Sequence, residues 1–266
     1  MASTPSVQRS DGSLVFCVLA CLLTWALSTP AMLHFLERTP LTPAAVAGAG
    51  LSAFGPLVAA LLVAATQGRI RSIFTPFRAP LHWIVLGLFA PMLSHLAATA
   101  LFVGLGGPPA QWFHPPVTPE HVAALVVFSI GEEFGWRGFL QPRLAHRYGP
   151  VLGSLLVGVV WALWHLTYCV TPEAASFSLS AFLLGLLKLP LWSVIIAWVR
   201  ERARVGLAVA LAFHAGAHLD NLQRALPIDW RLHGLHIALL AILSALAARS
   251  LTTATPGALD SVTSSA

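Results

Sequence analysis

Charge is scarce in this sequence. Only 9% of its 266 residues are Asp, Glu, Lys or Arg, against about 25% in an ordinary soluble domain. Lysine is reduced to Lys188 alone. Cysteine is limited to Cys17, Cys21 and Cys169. All three lie in apolar runs, with no C-x-x-C spacing, which excludes a disulfide framework or a thiolate zinc site and leaves small buried hydrophobes. There is no visible internal repeat and no sizeable polar stretch between the apolar runs. The net charge of +5 is carried by arginines scattered through short connections, so it forms no nucleic-acid-binding patch. What remains is 57% hydrophobic, with a mean hydropathy of +0.78. These figures describe an all-α, polytopic integral membrane protein.

Eight apolar runs follow one another: roughly Leu14–Leu36, Pro43–Thr66 with a Gly55-Pro56 break, His82–Gly104 interrupted by Pro91, Glu120–Leu140, Val151–Val170, Leu179–Val199, Val205–Leu219 and Gly234–Ala248. Residues 1–12 are a polar tail and residues 250–266 a Thr/Ser-rich tail expected to be disordered, so residues 13–249 form a single membrane domain. The first run is expected to be retained as a span and not cleaved as a signal peptide. With eight spans and a cytoplasmic N-terminus, ten arginines fall inside: Arg9, Arg69, Arg71, Arg78, Arg143, Arg147, Arg200, Arg202, Arg204 and Arg249. Three, Arg38, Arg224 and Arg231, fall outside. That bias favours N-in, C-in topology and puts the end of the fourth run near the cytoplasmic side.

Against this background the stretch Gly131-Glu132-Glu133-Phe134-Gly135-Trp136-Arg137-Gly138-Phe139-Leu140 stands out, because an apolar run leads directly into three charges. Each charge at a bilayer centre costs about 2.5–3.5 kcal/mol on insertion scales. On a helix Glu133 and Arg137 share a face, acid before base, while Glu132 points about 100° away. Arg137 can therefore neutralise Glu133 and leave Glu132 free. Two later runs bring histidines. His165 follows Trp161 by one turn, and His214 and His218 lie four apart on one face, the spacing used by paired zinc-binding histidines on a helix. Asn221 continues that stripe. Glutamate and histidine suit proton transfer near neutral pH, and they also suit a divalent metal with an open position. Gly135, Gly138 and Gly216 keep their helices thin for close neighbours.

Other polar residues have plainer readings. His34 and His95 read as helix contacts. Lys188 reads as snorkelling or pairing with a carbonyl freed by Pro190. His233 and His236 read as solvated near the outer surface. For the charged stretch, an interhelical ion-pair staple accounts for Glu133 and Arg137, but not for Glu132 or the histidines.

Glu-Glu-x-x-x-Arg, aromatic-x-x-x-His and His-x-x-x-polar, each in its own apolar run, resemble the motifs of the CAAX protease and bacteriocin-processing intramembrane protease family, to which the CAAX prenyl endopeptidases belong. The resemblance covers about residues 120–222. It implies an eight-helix membrane fold and hydrolysis of a peptide bond in a membrane-associated, CAAX-type prenylated or otherwise lipidated substrate. By position it implies that Glu132 activates water and that Glu133 and Arg137 support the site. His165 and His214 would orient that water, bind a metal or stabilise the oxyanion. Zinc or another divalent cation held by Glu132, His165, His214 and His218 is one form of this site, and a metal-independent glutamate protease is the other. Two positions depart from the pattern. Trp161 stands where phenylalanine is usual, a change expected to alter packing more than chemistry. His218 stands where asparagine is usual, which adds a metal-ligating side chain, and Asn221 is placed to supply the amide instead. The expected location is a bacterial inner membrane. The competing readings are a non-catalytic membrane scaffold of the same fold and, less favoured because no inverted repeat is visible, a proton-coupled transporter.

Overall fold

The computed structural model describes residues 11–38, 40–74, 79–109, 119–171, 176–203, 206–220 and 229–253. They form a helical bundle. In order the helices are α1 (Ser13–Glu37), α2 (Pro43–Ser52), α3 (Gly55–Thr66), α4 (Leu81–Gly104), α5 (Pro119–Glu133), α6 (Gln141–Tyr148), α7 (Pro150–Trp164), α8 (Leu179–Ala203), α9 (Leu207–Asp220) and α10 (Trp230–Thr253). A π-helical segment, Phe134–Leu140, joins α5 to α6, and a 3₁₀ turn, His165–Cys169, ends α7. Val170–Thr171 and Ser176–Phe177 pair as a minimal antiparallel ribbon after that turn.

Five described helices, α1, α4, α7 with its 3₁₀ extension, α8 and α10, are long and apolar enough to cross a membrane. The α2–α3 pair makes a sixth candidate, bent by 57° where Gly55-Pro56 begins the second arm. Proline is tolerated there because the first turn of a helix needs no N–H partner. The other two apolar runs correspond to α5 with its π segment and to α9. At 14 residues α9 reaches only about 21 Å at 1.5 Å per residue, short of a ~30 Å hydrocarbon core. The two least span-like runs are the ones that carry the acidic pair and the paired histidines. Pro91 does not interrupt the third run, because α4 continues through it from residue 81 to 104.

The outside of the bundle is apolar. Leu14, Leu81 and Ile242 are 77%, 74% and 60% exposed, the surface expected of helices that meet lipid instead of water. Inside, Phe16 of α1 stacks on Phe139 of the π segment and meets Trp136 edge-on. Trp136 in turn meets Trp164 of α7. A second core joins Trp192 and Ile196 of α8 to Phe213 of α9 and Leu240 of α10. Trp136, Phe139 and Leu140 of the charged stretch belong to the first of these cores.

Two glycines fix how closely backbones approach. A Cβ at Gly216 would collide with the Leu88 backbone carbonyl, so this residue sets the contact of α9 with α4. A Cβ at Gly135 would fall 2.5 Å from the Pro56 Cβ and 2.7 Å from its carbonyl carbon, so the π segment rests directly on the start of α3. Small residues are used this way wherever membrane helices pack by van der Waals contact alone.

Candidate active site

The acidic pair sits where α5 changes into the π segment, and both carboxylates are sealed from solvent, at 3% exposure for Glu132 and 0% for Glu133. π segments occur as short insertions at functional sites; this one carries Arg137, also fully buried. Arg137 donates from Nη1 to Glu133 Oε1 at 2.6 Å and from Nη2 to the Ser193 hydroxyl of α8 at 3.1 Å. Its guanidinium lies 4.3 Å above the Trp161 ring of α7, a cation–π contact.

His214 of α9 reaches the same carboxylate, with Nδ1 2.7 Å from Glu133 Oε1. An ionised carboxylate can only accept, so His214 Nδ1 carries a proton and donates to it. Its Nε2 faces His218 Nε2 at 2.9 Å and Glu132 Oε1 at 3.7 Å. The two imidazoles stack, 4.8 Å apart and 21° from parallel, as one helical turn permits.

Glu132 is not left free. Trp161 donates its indole N–H to Glu132 Oε2 at 2.7 Å. The contact is chemical as well as steric, beside the expectation that tryptophan here alters packing more than chemistry.

His165 lies just past the helix that carries Trp161. Helix α7 ends at Trp164, and His165 opens the 3₁₀ turn. Its Nδ1 lies 2.8 Å from the Trp161 carbonyl oxygen, and its ring packs edge-on against Trp164 at 4.7 Å. The ligand atoms of Glu132, His214 and His218 lie within 4.8 Å of one another. His165 is not one of these three, and its ring lies 5.8 Å from the Trp161 ring. Asn221 lies outside the described residues.

The donors fit a divalent cation. One carboxylate and two imidazoles converge, and His214 presents Nε2 inward because Glu133 holds its other nitrogen, the carboxylate–histidine arrangement typical behind metal ligands.

A second polar cluster escaped the sequence reading. Lys188 of α8 does not snorkel; its Nζ lies 3.1 Å from Nδ1 of both His233 and His236. His236 is 1% exposed, not solvated, and its Nε2 meets the Ser94 hydroxyl of α4 at 3.0 Å. The His95 ring packs against it, 5.2 Å between centres. His233 and His236 lie three apart on α10, but no spacing joins them to Lys188 of α8 or His95 of α4. The His34 ring meets that of Phe35, its neighbour in α1.

Residues 115–220 match the family model of the type II CAAX prenyl endopeptidase Rce1-like proteins. A protein of Methanococcus maripaludis named CAAX prenyl protease 2 is 27% identical over 117 residues, which cover 41% of this chain and 42% of that protein. The chain thus matches about two-fifths of the length of that curated relative. Both findings support the CAAX protease and bacteriocin-processing family, and the matched segment contains every residue of the site just described.

Proposed function

We propose, with residues 115–220 matching the CAAX endopeptidase family, that this chain is an intramembrane endopeptidase for a prenylated, CAAX-type peptide and that Glu132 is its general base. The observation that carries this reading is the division of labour within the acidic pair. Glu133 is occupied by Arg137 and His214. Glu132 keeps Oε1 directed at the imidazole pair, 3.7 Å from His214 Nε2.

In this mechanism a water lies between Glu132 Oε1 and the imidazoles. Glu132 takes its proton as the oxygen adds to the scissile carbonyl, then returns that proton to the leaving amine. His218 Nε2–H turns from His214 toward the new oxyanion, a neutral donor in a dry site. His214 stays neutral in one tautomer because Glu133 holds Nδ1–H, and Arg137 balances the charge of Glu133. Glu132, His214 and His218 would hold a divalent cation, which when bound supplies Lewis-acid polarisation and a more acidic water.

Cleavage of a farnesylated fluorogenic CAAX peptide by purified protein in lipid vesicles tests the proposal. Wild type should cleave it and Glu132→Gln should not. Equal rates from a folded Glu132→Gln variant would remove Glu132 from the mechanism. The family's non-catalytic, scaffold-type role would gain from a cellular phenotype that survives the same substitution.

A further inference from the structure

We propose that Trp161 is a positioning residue for the base: its indole N–H fixes the rotamer of Glu132 and reserves Oε1 for the reaction. This rests on the reading of Glu132 as the base and extends it to a residue at which this chain departs from the phenylalanine of the resembled motif.

The geometry divides the carboxylate. Oε2 accepts from Trp161 Nε1 at 2.7 Å, a charge-assisted bond between buried partners. Oε1 is 3.7 Å from His214 Nε2, on the side where the imidazoles converge. A glutamate has three side-chain torsions and sits here beside a second carboxylate, so without a fixed donor its carboxylate can rotate away from the imidazoles. The indole supplies that donor from a different helix. It is itself held rigid, with its ring beneath the Arg137 guanidinium at 4.3 Å and against the His214 ring at 5.1 Å. Trp161 therefore touches Glu132, Arg137 and His214 at once.

The contrast with Trp164, one turn along α7, sharpens the assignment. Trp164 spends its N–H on the Thr24 hydroxyl of α1 at 2.6 Å, a neutral tie between two helices. Trp161 spends its N–H on the group proposed to move a proton. Phenylalanine at position 161 would keep the aromatic face over Arg137 and lose only the donor, so Trp161→Phe separates positioning from packing.

Two measurements on the full-length protein in lipid nanodiscs test the proposal. In cleavage of the farnesylated peptide, Trp161→Phe should lower kcat about tenfold or more, as expected for loss of a hydrogen bond to a charged group, and leave KM within about twofold, since substrate binding does not need the indole N–H. In indole ¹⁵N–¹H spectra, one of the nine tryptophan peaks should vanish in Trp161→Phe, and that same peak should be the one displaced furthest by Glu132→Ala. An unchanged kcat, a change confined to KM, or a Trp161 peak that ignores Glu132→Ala would each overturn the proposal. If Trp161→Phe does not fold, the wild-type and Glu132→Ala spectra decide alone, and the absence of a displaced indole peak overturns it. The spectra do not depend on turnover, so a failure of Glu132 as the base, seen as cleavage by Glu132→Gln, is distinguishable from a failure of the Trp161 contact.

Discussion

One oxygen of Glu133 accepts hydrogen bonds from two helices, from Arg137 Nη1 on its own segment at 2.6 Å and from His214 Nδ1 on α9 at 2.7 Å. This oxygen ties the π segment to the histidine helix and sets the tautomer of His214. Its removal has two separable consequences.

The first is stability. Glu133→Ala leaves the Arg137 charge buried without its carboxylate, and breaking a buried pair from one side costs about 3–5 kcal/mol. Thermal unfolding in detergent should show a large fall in the midpoint. The double variant Glu133→Ala/Arg137→Met should recover part of it, because the orphaned charge is gone.

The second is metal affinity. Glu133→Gln preserves size but no longer fixes His214 Nδ1–H through a charge. Losing a carboxylate behind a metal-ligating histidine typically weakens binding about 10–100-fold. Zinc titration monitored by calorimetry should show that drop, and His218→Ala, which deletes a ligand of the Glu132, His214, His218 group, should weaken binding further. A His165→Ala variant should bind zinc as wild type does, since His165 stands outside the group.

Close backbone contact predicts a steric sensitivity on α9. Gly216→Val places a branched side chain against the Leu88 carbonyl. Overpacking of this kind costs about 1–3 kcal/mol, and the relief available is to push α9 from α4, which carries His214 away from Glu133. Unfolding temperature and peptide cleavage should fall together. Gly185→Ala, with open space at its Cβ position, should change neither.

The cluster around Lys188 yields a contrast. His236→Ala removes an acceptor of Lys188 and a partner of Ser94. Leaving a charged donor under-satisfied should cost about 1–3 kcal/mol. Lys188→Met removes the charge itself and should cost less. Thermal unfolding of the two variants gives the order, and the opposite order would show that the lysine is worth more than its desolvation.

Much of this was legible in the sequence because membrane burial makes each polar residue expensive. The eight apolar runs, the bend at Gly55-Pro56 and the pairing of Glu133 with Arg137 all follow from composition or from spacing within one helix. Contacts between helices do not. Glu132 and Trp161 are 29 residues apart, and Glu133 and His214 are 81 apart. No periodicity says which oxygen meets which N–H. Trp161 read as a packing residue because its ring dominates its hydropathy and its single donor is invisible to that measure. His165 lies past Trp164, where the backbone has tightened into a 3₁₀ turn, so helical spacing alone does not give the direction of its ring. Lys188 and the pair His233 and His236 read separately because they lie on different runs, and only the approach of α8 to α10 makes them one cluster.

The central claim is that Glu132, held by Trp161 and aimed at His214 and His218, is the base that activates water. The most direct measurement is the rate at which purified Glu132→Gln, matched to wild type in unfolding temperature, cleaves a farnesylated CAAX peptide. General-base catalysis contributes about 10²–10⁴-fold, so the account predicts a loss of at least about a hundredfold. Cleavage by Glu132→Gln at the wild-type rate would contradict it.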